Sequence, residues 1–376
     1  MKKSVLVIAG EVSGDLHAAK AVQAVKARSP ETVFWGIGGD DLRAEGVELL
    51  QHTDQMGVMG IVEVLKQYRF FKQVFQQVLD EVDKREPDAA LLVDYPGFNL
   101  CLAAELKKRG VKVYYYISPK VWAWNKKRIP KMAQVIDRLM VIFPFEVEVF
   151  KDTGLQVDFV GNPLVAQIDD FISREAKPLP WRSERRIALL PGSRKQEIER
   201  ILPTMLEAAK KLEAQFPGLS FMIATPNARI EKIVNEQIIQ CLEKPARLDV
   251  ICGNAREAMR QAEAAIVTSG TATLETALIG TPHILVYKTS GLTFWLGKKL
   301  VKIAHVGLVN IIAGRPVCPE ILQDAATPEA LAASTAQLMD DTPERKAMLE
   351  GYAEVRQLLG AKKAAENVAA ILCGDE

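Results

Sequence analysis

Short apolar runs alternate with longer amphipathic stretches along the whole chain, and the alternation occurs twice. Runs at 4–9, 32–37, 88–93, 111–117, 138–142 and 157–160 read as strands, as do runs at 186–190, 219–224, 248–252, 264–268 and 283–287. They lack the in–out alternation of a strand with one wet face, so both faces are expected to be covered. Apolar residues spaced three and four apart predict helices at 14–28, 60–84, 99–109, 198–216, 255–262, 271–279 and 328–339, and a helical pattern over 344–372. Strand–helix alternation builds parallel sheets with right-handed crossovers. Two rounds of it predict an α/β protein of two parallel-sheet domains. The most polar stretch, Ser173 to Arg185 with Pro178 and Pro180, lies between the halves and places a linker near 165–185. The expected domains are 1–170 and 171–349.

Composition narrows the class without choosing a function. A chain of 376 residues favours two or three domains over one. It is 48% hydrophobic and 25% charged, as soluble globular proteins are. The net charge of +1 gives no whole-molecule field for nucleic acid, so any basic patch must be local. The five cysteines (101, 241, 252, 318, 373) form no C-x-x-C, which suggests neither a disulfide framework nor a zinc site and fits a reducing cytoplasm. Met1-Lys2-Lys3 and the apolar Ser4–Ala9 superficially resemble a signal peptide. That run is short and passes into Gly-Glu-Val-Ser-Gly-Asp without a small-residue cleavage pattern, so it reads as the first buried strand. No uninterrupted apolar stretch is long enough for a bilayer.

Two strings in the second half carry specific chemistry. Leu190-Pro191-Gly192-Ser193-Arg194 and Ser269-Gly270-Thr271-Ala272-Thr273-Leu274-Glu275 each follow a strand run and open a helix pattern. Strand, glycine turn and helix start present backbone N–H groups to an anion. Two such turns aimed at one crevice bind a diphosphate. Arg194 adds a planar fork of donors for phosphate oxygens. Glu275, one helical turn after Thr271, is placed to accept from ribose hydroxyls. The reading is a nucleotide-sugar site at Gly192, Ser193, Arg194, Ser269, Gly270, Thr271, Thr273 and Glu275.

In the first half, Gly10-Glu11-Val12-Ser13-Gly14-Asp15 closes the first strand, and its glycines allow close backbone approach. The spacing is not the dinucleotide fingerprint. Asp15 alone reads first as a helix cap, and His17 equally as a packing residue or a contact. Asp94 follows the apolar Ala89–Val93 and so stands at the carboxyl end of a buried strand. It either caps the turn through Pro96 and Gly97 or acts as a general base, and the second is favoured. No D-x-D and no cluster with metal-ligand spacing occurs, so no metal and no cofactor is expected. Asn310, in the apolar string Gly307–Gly314, either satisfies backbone or contacts a ligand. For Glu320 the reading as a helix-start acid stands beside a ligand role.

Together with Asp94-Tyr95-Pro96-Gly97-Phe98-Asn99, these strings make the chain resemble, over essentially its whole length, the lipid-A-disaccharide synthase family. The resemblance implies an inverting glycosyltransferase of the two-Rossmann (GT-B) type. It implies a cleft between the domains and a C-terminal helix, within 350–376, crossing back to the first. Implied substrates are UDP-2,3-diacylglucosamine and 2,3-diacylglucosamine 1-phosphate, joined β(1→6) with release of UDP. Asp94 becomes the base candidate, Glu11, Ser13, Gly14 and Asp15 part of the acceptor loop, and Asn310 a nucleotide contact. Hinge closure would assemble the site.

A diacylated substrate directs attention to apolar, basic segments. Ile61, Val62, Leu65, Phe70 and Phe71, with Lys66, Arg69 and Lys72, read either as a buried helix or as a face dipping into anionic lipid. Trp122 and Trp124 before Asn125–Lys131, and Phe294-Trp295 beside Lys298, Lys299 and Lys302, are further candidates. The expected partner surface is the cytoplasmic face of the inner membrane, with peripheral attachment. A homodimer through the C-terminal segment stays open. Two other readings stand beside the transferase. One is a UDP-sugar 2-epimerase, disfavoured by only four histidines. The other is a non-catalytic nucleotide-sugar sensor docking on membranes, which would not need Asp94.

Overall fold

The computed structural model describes residues 3–56, 61–124, 126–289, 304–360 and 363–375; the side chains of 61–68 and 124 are outside the description. The chain divides into two compact units, 1–163 with 359–376, and 164–358. The first contains β1 (Ser4–Ala9), α1 (Val12–Arg28), β2 (Val33–Gly38), α2 (Asp40–Ala44), β3 (Glu48–His52), α3 (Ile61–Arg85) and β4 (Ala89–Val93). It continues with α4 (Pro96–Lys108), β5 (Lys112–Tyr116), α5 (Val121–Trp124), α6 (Ile129–Val135), β6 (Arg138–Val141), α7 (Phe145–Phe150) and β7 (Gln156–Phe159). These strands form a parallel sheet in the order β3-β2-β1-β4-β5-β6-β7.

Continuous apolar runs form these strands because both sheet faces are covered. Leu6, Ile8, Ala90, Leu92, Val113 and Tyr115 join one core cluster with α3 and α4. Their neighbours Val5, Val7, Ala9, Leu91, Val93 and Tyr116 join the other, with α1. The period of two sorts one run onto two cores. The second core is completed by Val368, Ala369, Ile371 and Leu372 of the C-terminal helix Ala364–Cys373. That helix lies against α1, with Lys3 Nζ donating to Leu372 O (2.7 Å) and Asn367 Nδ2 to Val160 O (2.8 Å). The chain therefore returns to its own first unit from Leu359 onward.

The second unit contains α8 (Pro163–Ser173), which starts at the division, then β8 (Arg185–Leu190), α9 (Lys195–Gln215), β9 (Leu219–Thr225), α10 (Ala228–Gln240) and β10 (Leu248–Cys252). α11 (Ala255–Gln261), β11 (Ala264–Thr268), α12 (Thr271–Ile279), β12 (His283–Tyr287) and β13 (Glu320–Leu322) follow. Its described strands are parallel in the order β10-β9-β8-β11-β12-β13. Ala188, Leu190, Ala265 and Val267 pack with Ala258 and Met259 of α11.

Several boundaries differ from those expected. The first division falls at 163/164, because α8 occupies the front of the expected 165–185 linker. α8 is tied to the second unit by Arg256 Nη2 on Gln167 Oε1 (3.2 Å) and Arg260 over the Phe171 ring. The second division falls at 358/359 instead of 349/350 because Pro343–Leu359 is one continuous helix. β3, β13 and α10 were not read from the sequence. β3 is a half-wetted edge strand and β13 has three residues, too short for a period to register.

Candidate functional site

In each sheet the strand order reverses at one place, between β1 and β4 in the first and between β8 and β11 in the second. Ligands of open parallel sheets bind outside the carboxyl ends at such a reversal. The expected motifs occupy these ends. Val93 pairs with Ala9, so Gly10-Glu11 and Asp94-Tyr95 are neighbouring turns. Val267 pairs with Leu190, so Pro191–Arg194 and Ser269–Thr271 are neighbouring turns too.

The Asp94 turn is built with unusual backbone. Asp94 and Tyr95 have φ of 46° and 47°, and Ile117, at the adjacent end of β5, has φ of 67°. A β-branched residue in this region is strained, and such strain persists only where the surroundings impose it. Asp94 N–H donates to Tyr116 O (2.9 Å), while Asp94 O accepts from Tyr115 Oη (2.6 Å) and Asn99 Nδ2 (2.8 Å). The backbone is thus pinned from two sides and the half-buried carboxyl is left to face outward contacts. A side chain at Gly10 would meet the Tyr95 ring at 2.4 Å, so the first turn can approach the second only as glycine. Burial, and then the charge of Glu11, hold the Asp94 carboxyl above the usual carboxylate range, against the Tyr95 N–H and Lys120.

Asp94 lines a cavity of about 260 Å³ together with Ser118, Lys120, Arg128, Phe143 and Glu146. Glu146 was not anticipated. It is 1% exposed, and its carboxylate accepts from Trp122 Nε1 (3.2 Å) and Phe143 N (3.2 Å). Burial pushes it from its ordinary 4.5 up to about 7, although these N–H donors and Lys120 favour the charge. A folded-state value above the unfolded one adds stability that is complete below about pH 4.5 and lost as pH rises through 7. Relative to Glu146→Gln, wild-type stability in urea melts should therefore fall between pH 5 and pH 8, by up to roughly 3 kcal/mol. A pH-independent difference would place the Glu146 carboxyl in a wet, ordinary setting.

Asp15 is not placed for a ligand. It is 3% exposed, and its oxygens accept from the N–H groups of Gly39 (2.6 Å), Asp41 (3.0 Å) and Leu42 (3.3 Å). It caps α2, satisfying N–H groups that would otherwise be orphaned, and does not cap its own helix. Gly14 is buried, whereas Glu11 and Ser13 are exposed on the first turn of α1. His17 Nδ1 is buried without a partner, and burial lowers its pKa to about 4, so the ring packs as a neutral group.

In the second unit, Gly192 takes φ of 106°, a left-handed conformation that suits glycine. Arg194 stands at the N-cap of α9 with its side chain 81% exposed, Nη1 2.9 Å from Glu197 Oε1. Ser193, Gly270 and Thr271 are exposed and Ser269 half-buried. Thr273 departs from expectation: it is fully buried, and its hydroxyl donates to Gly270 O (2.8 Å). Asn310 departs further. At 1% exposure it donates to Cys318 O and Glu320 Oε1 (both 2.9 Å) and accepts from Val317 N (2.7 Å) and Cys318 N (3.0 Å). Its amide is saturated by its own chain, so it braces the segment and has no donor left for a nucleotide. Glu320 belongs to the same brace, accepting from Val306 N and Gly307 N (both 2.9 Å).

Glu275 lines a cavity of about 410 Å³ with Thr225, Pro226, Gly253, Asn254 and Arg256. Arg256 Nη2 lies 2.6 Å from Glu275 Oε1 and 3.2 Å from Gln167 Oε1. Arg256 also escaped the sequence reading, because an isolated arginine opening an amphipathic segment carries no local signal. Glu275 and Arg256 are brought together, while Gly192–Arg194 and Asn310 are not among the residues lining this cavity.

Of the expected membrane face, the side chains of Ile61, Val62, Leu65 and Lys66 lie outside the described residues, as does 290–303 with its aromatic and basic groups. Arg69 and Lys72 are exposed. Phe70 and Phe71 are half-buried and pack on the core of the first unit, their rings edge-to-face at 5.8 Å. α3 turns them toward the core that also holds Val74 and Val78, and leaves part of each side chain exposed. Among the described residues no helix is long and apolar enough to cross a membrane.

A family model described as Lipid-A-disaccharide synthetase matches residues 5–372. A lipid-A-disaccharide synthase of Syntrophus aciditrophicus is 42% identical over 370 residues, covering 98% of this chain and 96% of the relative. Among solved structures, a UDP-GlcNAc 2-epimerase from Neisseria meningitidis bound to UDP-GlcNAc superposes with a TM-score of 0.60 at 10% identity, covering 99% of this chain and 98% of that one. MurG of Acinetobacter baumannii gives 0.55 at 16% identity, covering 99% of both. These structural likenesses show the two-Rossmann GT-B fold, which transferases and epimerases share. With a family match across nearly its full length and a close relative at 42% identity, the chain belongs to the lipid-A-disaccharide synthase family.

Proposed function

We propose that the chain joins UDP-2,3-diacylglucosamine to 2,3-diacylglucosamine 1-phosphate through a β(1→6) bond and releases UDP. Asp94 takes the proton of the acceptor 6-hydroxyl as that oxygen attacks the anomeric carbon. The bond from that carbon to the diphosphate breaks, and UDP leaves with the electron pair. One displacement inverts the centre. The observation that carries this reading is the Asp94 carboxyl, held above the usual range on a pinned, left-handed turn at the strand reversal. A base works best when its pKa approaches the working pH.

The negative charge gathering on the leaving diphosphate is met by the N–H groups of 192–194 and 270–271 and by Arg194, which exchanges Glu197 for phosphate. Glu275 accepts from the ribose hydroxyls, and Arg256 orients it. Glu11 and Ser13 flank the acceptor. The protein attaches peripherally to the cytoplasmic face of the inner membrane, where Arg69 and Lys72 meet anionic head groups. Pairing of two copies through the C-terminal segment would proceed by exchange of the helix Ala364–Cys373.

The test is incubation of the pure chain with both lipid substrates in mixed micelles containing EDTA. UDP and disaccharide should appear together in equal amounts. Epimerised UDP-sugar without disaccharide would establish the epimerase reading. Tight UDP binding without any turnover would establish a sensor.

A further inference from the structure

The cavity beside Asp94 has a feature that the base role does not use. Two cations, Lys120 and Arg128, line it together with Asp94. The charge of Lys120 acts on both Asp94 and Glu146. Both Glu146 oxygens are tied into the wall, one by the Trp122 indole and one by Phe143 N–H. Trp122 is itself clamped edge-to-face on Phe145, with ring centroids 4.9 Å apart. Glu146 is thus already satisfied, so Asp94 is the carboxylate left to serve an incoming group. At about 260 Å³ the space lies just under the range of drug-sized ligand pockets, a size that suits one sugar ring with one phosphate.

We infer that this cavity is a hexosamine-phosphate subsite, in which Lys120 and Arg128 hold the phosphate while Asp94 faces the exocyclic 6-hydroxyl. The inference rests on the transferase reading and deepens it, assigning the acceptor's phosphate to two residues of the first unit. A nucleophile must sit against the base, so the occupant of the Asp94 cavity is the acceptor and not the donor. An anion held by an ammonium and a guanidinium makes charge-assisted hydrogen bonds, about twice as strong as neutral ones. This fixes the ring, and with it the hydroxyl, by its far end.

Calorimetric titration of the full chain, without donor, tests this. The probes are glucosamine 1-phosphate, glucosamine and inorganic phosphate. Wild type should bind glucosamine 1-phosphate at least tenfold more tightly than either of the others. Lys120→Gln and Arg128→Gln, both at exposed positions, should each weaken that binding roughly tenfold and leave UDP binding unchanged. Lys120→Glu should abolish it. Equal affinity for inorganic phosphate and the sugar phosphate, no preference over glucosamine, or unchanged affinity in both Gln variants would each overturn the subsite. The transferase reading fails separately, if wild type binds the sugar phosphate as expected yet releases no UDP from the full lipid substrates.

Discussion

Asp94→Asn is expected to lower turnover by about two to four orders of magnitude while leaving UDP affinity and folding nearly unchanged. The substitution is isosteric and removes the negative charge together with the ability to take a proton. The pinning of the turn should survive it, because Tyr116 O, Tyr115 Oη and Asn99 Nδ2 bond the Asp94 backbone and not its side chain. An amide also suits a half-buried site where burial and Glu11 already disfavour the charge, so the variant should be at least as stable as wild type. Steady-state UDP release with both lipids saturating measures kcat, and a urea melt controls for folding. Turnover within a few-fold of wild type would remove Asp94 as the base and leave its geometry to the cap of the Pro96 turn. Glu11→Gln supplies a second check. Removing that neighbouring charge should lower the Asp94 pKa and shift the rising limb of the pH–rate profile to lower pH.

Glu275→Ala is expected to weaken UDP binding by roughly 1–3 kcal/mol, the cost of losing hydrogen bonds to a charged acceptor. The structure adds a partner that sharpens the test. Arg256 holds Glu275 Oε1 through Nη2 and Nε, at 2.6 and 3.2 Å, and is itself steadied by Gln167. Arg256→Met should therefore weaken UDP by less than Glu275→Ala, since it releases the carboxylate without deleting it. Combining the two should cost little more than Glu275→Ala alone, because members of one network are not additive. Calorimetry with UDP reads all three. Full affinity in Glu275→Ala would place the ribose elsewhere than the cavity of Thr225, Asn254 and Glu275. Arg194→Ala should act on the same scale, although its side chain is now exposed and paired with Glu197, because a diphosphate is the stronger partner.

The local signals were read correctly where the physics is local. A continuous apolar run between polar turns must be a strand covered on both faces, and β1, β4, β8 and β11 are such strands. Glycine at the close approach of Gly10 and at the positive φ of Gly192 marks a turn whose backbone no other residue suits, and these turns do stand at the two strand reversals. The family, too, was legible from four strings in order, because chemistry confines residue types at strand ends more tightly than on helix faces. What a side chain does once it is there was decided by neighbours distant in sequence. Asp15 became the cap of α2, more than twenty residues on, because packing α1 on β2 leaves those N–H groups buried and in need of an acceptor. Asn310 was drawn into a brace with Val317, Cys318 and Glu320, and Thr273 into a bond with Gly270. Glu146 and Lys120 reach the Asp94 cavity, and Arg256 reaches Glu275, only because the parallel strands within each sheet bring their carboxyl ends to the same edge of that sheet. A lone acid or arginine in an amphipathic stretch has no period and no motif to announce it. Its role comes from burial, which sets both the cost of its charge and the partner that must offset it.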